Sequence, residues 1–361
     1  MWTDTRLTRQ LGLRLPIVQG PFGGGLSTTA LAAAVSNAGG LGSFGAHFLT
    51  PAQIGELVAE LRRLTPHPFA VNLWVPQAGE PSTIEPAELE RHVARLRPVL
   101  RQLGLPDPEV PSAFTPRFEE QVEAALEARP QVLSFVMGVP PGWVVEGAKA
   151  RGIALVGTAT TVDEAIALDQ AGVDVIVASG SDAGGHRGAF LRPVRESLVG
   201  TLSLVPQVVD AVRTPVVAAG GIADGRGVAA ALALGADGVQ IGTAFLACEE
   251  SGASAGHRRA LASPGARTTV LTRVFSGRVA RGIVNAFVEA MTPHEADVPA
   301  YPVQNWLTQP IRRAAAAADR EDYLSLWAGQ SAALARPRPA ADLVAALVEQ
   351  TEQVILGLMK R

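Results

Sequence analysis

The sequence predicts an α/β fold, a (β/α)8 TIM barrel carrying a smaller, mainly helical cap. Three observations predict it. Short runs rich in Val and Ile alternate with alanine-rich stretches of helical periodicity, the pattern of repeated βα units. Eight such runs can be counted, and the last two end in glycine-rich turns. The runs occupy residues 17–21, 42–45, 69–73, 132–136, 154–157, 173–177, 216–219 and 238–241. Between them, small and apolar residues at helical spacing predict helices at 29–38, 52–64, 118–128, 142–150, 162–171, 202–211 and 227–234. Eight parallel strands with intervening helices close most naturally into a barrel. An open doubly wound sheet shows the same alternation and stays the alternative.

Two segments leave the repeat. Residues 76–116, after the third run, contain eight prolines that interrupt a charged amphipathic stretch around residues 88–103. Long excursions of this kind in compact domains are usually functional. Residues 266–335, after the eighth run, hold Tyr301, Asn305, Trp306 and Trp327 among short helical pieces, as a small cap does. Residues 340–358 return to an alanine- and leucine-rich helical pattern and are expected to rejoin the barrel wall as its eighth helix. The expected organisation is therefore a barrel from residues 1–75, 117–265 and 336–361, with a cap and substrate region from 76–116 and 266–335.

Composition narrows the function classes. Of the 361 residues, 47% are hydrophobic and 18% charged, as in a globular enzyme rather than a disordered chain. A net charge of −3 without a basic stripe argues against nucleic acid as a partner. The single cysteine, Cys248, can form no internal disulfide and no cysteine-rich metal site. No run of about twenty apolar residues and no signal-like N-terminus is present, so a cytoplasmic protein without a membrane partner is expected. No pair of histidines or carboxylates has metal-ligand spacing, and no metal is expected.

Catalytic groups of a barrel stand at the carboxyl ends of its strands. After the seventh run comes Ala219-Gly220-Gly221-Ile222-Ala223-Asp224, and after the eighth Gln240-Ile241-Gly242-Thr243-Ala244. Glycines there let backbone N–H groups converge on an anion, helped by the positive end of a following helix. Either turn alone reads as a tight connection; the two together point to a phosphate. After the sixth run comes Ser179-Gly180-Ser181-Asp182-Ala183-Gly184-Gly185-His186-Arg187-Gly188, which projects an imidazole over the mouth. His186 can shuttle a proton or hold an anion; its alternative role is to stabilise its own loop. His47, His67, His92, His257 and His294 lack such context and are assigned to surface or packing.

At this point the sequence resembles a known family. The run Pro16-Ile17-Val18-Gln19-Gly20-Pro21, then Ser27-Thr28, the stretch from Ala33 to Gly42, Val71-Asn72-Leu73, Thr158-Ala159-Thr160-Thr161, the Gly-His loop and Leu326-Trp327-Ala328-Gly329-Gln330 together resemble nitronate monooxygenases, formerly called 2-nitropropane dioxygenases. The resemblance implies FMN at the barrel mouth, with its phosphate on the last two glycine turns. Cofactor contacts then fall to Asn72, Ser179, Gly180, Gly184, Gly220, Gly221, Gln240, Ile241, Gly242 and Thr243. Gln19, Gly20, Pro21 and Phe22 pass beneath or beside the ring system, His186 takes the catalytic position, and Gly185 and Tyr301 belong to the substrate pocket. Ser179 replaces the glutamine many relatives carry, which implies a contact shortened or replaced by water. Only Tyr301 and Tyr323 are available where relatives place several tyrosines. The implied partners are a small nitronate or nitroalkane and O2, and the products a carbonyl compound and nitrite. Two other functions share these features: an NAD(P)H-dependent flavin reductase of the quinone or enoyl-acyl-carrier-protein type on the same barrel, and a flavin-binding protein without turnover. A titratable group on the glycine loop speaks against the latter.

Overall fold

The computed structural model describes residues 1–360. Its strands are β1 (Ile17–Gln19), β2 (Gly42–Gly45), β3 (Phe69–Trp74), β4 (Val132–Val136), β5 (Ala154–Ala159), β6 (Val175–Ser179), β7 (Gly185–His186), β8 (Val216–Ala219), β9 (Gly238–Ile241), β10 (Thr269–Thr272) and β11 (Ala280–Ile283). Eight of them form one sheet in the order β1-β9-β8-β6-β5-β4-β3-β2, every pairing parallel. The two ends meet: Val18 bridges Leu41, the Leu41 amide donates to the Ile17 carbonyl at 2.9 Å, and the Gln19 amide donates to the Leu41 carbonyl at 2.9 Å. Those bonds decide for a barrel over an open sheet.

Alternation along each strand divides the core. Val18, Ala70, Val132, Val156, Val175, Val177 and Val217 point inward and pack together. Their neighbours Ile17, Val71, Leu133, Leu155, Ile176, Val216 and Val239 point outward under the helices. The floor is closed by helix Arg6–Leu11, which the sequence reading did not foresee; Leu7, Leu11 and Leu13 join the inner cluster. Arg6 fixes this plug by a two-pronged bond to Asp237 (2.9 and 2.6 Å), whose carboxylate also accepts from the Val216 amide at 2.9 Å.

Helices Thr29–Ala38, Phe118–Ala128 and Val162–Ala171 lie where periodicity put them. The sixth strand starts two residues later than expected. Val173 is consumed by the helix end, where Gly172 takes the left-handed conformation (φ 80°) and the Val173 amide returns to Leu168. Helix Ala340–Met359 packs against both Thr29–Ala38 and Gly225–Ala233 and so completes the helical ring. Its approach to Gly225 is close enough that a Cβ there would lie 2.4 Å from the Thr351 nitrogen.

The two irregular segments pack on one another. Helix Pro86–Gln102 contributes Val93, Leu96 and Leu100 to an apolar cluster with Phe275, Phe287, Leu307 and Ile311. Among these helical pieces lies a three-stranded antiparallel sheet, β10-β11-β7, which the sequence did not announce. A two-residue strand has no periodicity to read. Among the described residues, no helix is long and apolar enough to cross a membrane.

Candidate active site

Inside the barrel, chemistry changes near the carboxyl ends. Two residues beyond Ala70, Val132, Val156 and Val177, the inward positions become Asn72, Ser134, Thr158 and Ser179, and Gln240 faces the same way on β9. Asn72 Nδ2 donates to Ser134 Oγ at 3.0 Å, linking two members of this polar ring. Gln19 faces away from it. Fully buried, it accepts from the Ser43 amide at 2.9 Å and donates to the Gly20 carbonyl, so its side chain ties β1 to β2. Gly20 donates to Ile241 at 2.8 Å and lies against Gly242, while Pro21 and Phe22 line the rim half-buried.

The two glycine turns are drawn together by one segment. The Ser331 hydroxyl donates to the Gly221 carbonyl at 2.6 Å, and the Gly329 amide donates to Thr243 Oγ1 at 2.9 Å. Gly220 and Gly221 both have positive φ (110° and 69°), and a Cβ on Gly220 would lie 2.7 Å from Thr201 Oγ1. A cavity of about 320 Å³ is lined by Asp182, Thr201, Gly220, Gly221, Gln330 and Ser331; Gly242 and Thr243 lie outside that lining. Among the described residues no acceptor takes the amides of Gly221, Ile222, Gly242 or Thr243. Unpaired amides beside a side-chain-free turn fit a phosphate group.

Part of the Gly-His segment is a strand rather than a loop. β7 pairs antiparallel with β11, His186 opposite Ala280 and Gly185 opposite Arg281. Arg187 donates to the Gly180 and Ser179 carbonyls (2.7 Å each), Arg281 donates to the Ser181 carbonyl at 2.9 Å, and Asp182 accepts from Thr201 N and Oγ1. Gly184 presses on the Ala328–Gly329 peptide, and Gly188 on Val136, so the segment crosses the mouth. At its exit the fully buried Glu164 accepts from the Phe190, Leu191 and Thr160 amides. His186 therefore has a fixed ring: Nε2 is 2.8 Å from Ser276 Oγ, and Trp74 and Trp327 meet it edge-on at 4.9 and 5.3 Å between centroids.

Several neighbours escaped the sequence reading. His47, assigned to packing or surface, stacks on Trp74 at 3.9 Å with 9° between planes. Both follow from the rule that exposed His186: His47 comes just after β2, and Trp74 ends β3. Ser276, Arg278 and Arg312 had no such signal. Arg278 lies 4.4 Å from the Tyr301 ring centroid and 5.3 Å from that of Trp74. Tyr301 lies 5.6 Å from Trp74, whose ring also meets His186.

Burial, aided by the Arg312 charge, pushes His186 down to about 3. Burial and then the charges of His186 and Arg278 hold His47 well below the ordinary range. Both rings are neutral at pH 7, so His186 is a base or a hydrogen-bond partner rather than a fixed cation. Burial also pushes His257 down to about 4. These shifts set a stability trend. Between a folded value of about 3 or 4 and the ordinary 6.5, the unfolded chain binds protons that the folded chain refuses. Stability is expected to be full above pH 6.5 and to fall toward pH 4, by up to about 1.4 kcal/mol per pH unit for each histidine. Chemical denaturation at pH 7 and pH 5 checks this; a His257→Gln variant should show a shallower dependence.

Comparison with known proteins agrees with this fold. The sequence profile of the family described as "Nitronate monooxygenase" matches residues 4–350. A "Probable nitronate monooxygenase" of Staphylococcus aureus (strain Newman) is 43% identical over 356 residues, covering 98% of this chain and 99% of the relative. The solved nitroalkane oxidase from Streptomyces ansochromogenes superposes with a TM-score of 0.87 at 39% identity, covering 98% of this chain and 100% of the other. FabK from Thermotoga maritima gives 0.77 at 28% identity over 99% of both chains. The chain belongs to the nitronate monooxygenase family, an oxidoreductase family that implies a flavin cofactor.

Proposed function

We propose that the chain is an FMN-dependent nitronate monooxygenase, oxidising alkyl nitronates such as propionate 3-nitronate, or nitroalkanes, with O2 to carbonyl compounds and nitrite. The observation that carries this is His186: a neutral imidazole, locked by strand pairing, facing a barrel mouth rimmed by unpaired glycine-turn amides. The turns at Gly220–Gly221 and Gly242–Thr243 would hold the phosphate of FMN, with Asn72, Ser179, Gly180, Gly184, Gln240 and Ile241 toward the rest of the cofactor. Gln19 would act through its hold on Gly20 and Ser43 rather than by direct contact. When bound, the flavin supplies an electron sink for a carbanion equivalent and a route for electrons to O2.

The protein's own part is small. Ser276 Oγ lies 3.1 Å from the Arg278 carbonyl. With its proton directed there, the hydroxyl accepts from His186 Nε2–H, and the lone pair stands on Nδ1. That nitrogen takes the α-proton of a nitroalkane, or receives a hydrogen-bonded nitronate that needs no deprotonation. Trp74 and Trp327 exclude water from two sides of the ring. FMN-loaded protein is expected to consume O2 and release nitrite with propionate 3-nitronate, and its flavin should bleach only slowly when mixed anaerobically with NADH or NADPH. Rapid bleaching without nitronate turnover would transfer the assignment to a flavin reductase.

A further inference from the structure

We infer that Arg278 is the specificity-determining residue for the far end of the substrate, where it takes a carboxylate, and that Glu80 holds this place in the free chain. The inference rests on the nitronate-oxidising function proposed above. Arg278 lies in the turn between β10 and β11, two residues from the hydroxyl that bonds His186. Its guanidinium lies over the rings of Tyr301 and Trp74, which leaves the edge of the fork for directional bonds. Nη2 donates to Glu80. Nη1 is buried and has no partner among the described residues, in a side chain only 10% exposed.

A buried donor without an acceptor is costly. A carboxylate meeting a guanidinium edge-on takes two N–H bonds at once, and Glu80 satisfies one. Glu80 also accepts from the Gln77 amide at 3.1 Å with the same oxygen, which limits its reach. It comes from the excursion after β3 and is itself 23% exposed, so it is the partner best able to yield. A second cation acts on the imidazole itself. Arg312, whose charge acts on His186, donates to the Asn305 carbonyl and side-chain oxygen (2.9 and 2.8 Å) and to no carboxylate. Arg278 is thus left for a second anionic group, separated from the reacting carbon by a short chain.

The test compares propionate 3-nitronate with the nitronate of 1-nitrobutane, similar in length but without a carboxylate. Wild-type enzyme is expected to prefer the first in kcat/KM. Arg278→Met should lower that preference at least about tenfold, the worth of one hydrogen bond to a charged group, and Arg278→Lys should retain part of it. Glu80→Gln should lower KM for propionate 3-nitronate, because an internal competitor is gone. Succinate, a non-oxidisable dianion, should raise the melting temperature of the FMN-loaded wild type and not that of Arg278→Met. An unchanged preference in Arg278→Met, or a raised KM in Glu80→Gln, overturns the inference while nitronate oxidation stands. Succinate stabilisation that depends on Arg278, in a protein oxidising neither nitronate, upholds the anion site and sinks the proposed function instead.

Discussion

Replacing His186 with Asn is expected to leave the flavin bound and to lower turnover of a neutral nitroalkane by about 10²-fold, the lower end of the worth of a positioned general base, because the burial that keeps the ring neutral also weakens it as a base. Asparagine is smaller than the ring and its amide reaches the Nδ1 position rather than Nε2, so the bond to Ser276 is lost, but the backbone pairing of Gly185–His186 with β11 should survive. It cannot accept a proton. The loss should be smaller for a preformed nitronate, which brings no proton to remove and loses only a hydrogen bond. Oxygen uptake on both substrates, with the visible flavin band as the measure of occupancy, separates the two roles. Equal turnover of variant and wild type on both substrates would remove His186 from the mechanism.

Gly220→Ala should give a folded but colourless protein. Its φ of 110° is closed to a residue with a side chain, and the added Cβ would stand 2.7 Å from Thr201 Oγ1 and 3.0 Å from the Ala183 nitrogen. Thr201 cannot retreat easily, being held by Asp182 through both its amide and its hydroxyl. Strain of about 1–3 kcal/mol must then move the turn itself, carrying the Gly221 and Ile222 amides away from the phosphate. The flavin-to-protein ratio by absorbance, together with far-UV circular dichroism, reads the outcome. Gly12→Ala is the control: its φ is also positive (67°), but nothing lies within 4 Å of the added Cβ. It should lower stability and keep the yellow colour; full occupancy in Gly220→Ala would detach that turn from the cofactor.

The barrel was legible because its repeat is long and its strands are buried on both faces, which writes each one as a run of Val, Ile and Ala. The bounds of helices Phe118–Ala128 and Val162–Ala171 coincide with the periodicity. Helix Arg6–Leu11 was missed because six residues are too few for periodicity to show. Of the site, the glycine turns and His186 could be found from position alone, at carboxyl ends of strands. The same rule, applied to the second and third strands, reaches His47 and Trp74. Ser276, Arg278 and Trp327 are another matter. Ser276 and Trp327 meet His186, and Arg278 reaches Trp74 and Tyr301, because residues 280–281 pair with residues 185–186 and Gly282 bridges Trp327, and antiparallel pairing across so long a separation leaves no mark in any of these segments.

That pairing couples two segments far apart in the chain. The imidazole belongs by sequence to the barrel, yet a hairpin from the excursion after β9 aims it. A new excursion grafted in from a relative would bring its own hairpin edge and turn the ring with it. On the role proposed for Arg278, single exchanges on the hairpin's turn alter substrate range, whereas a change at the edge that meets Gly185 and His186 turns the ring itself.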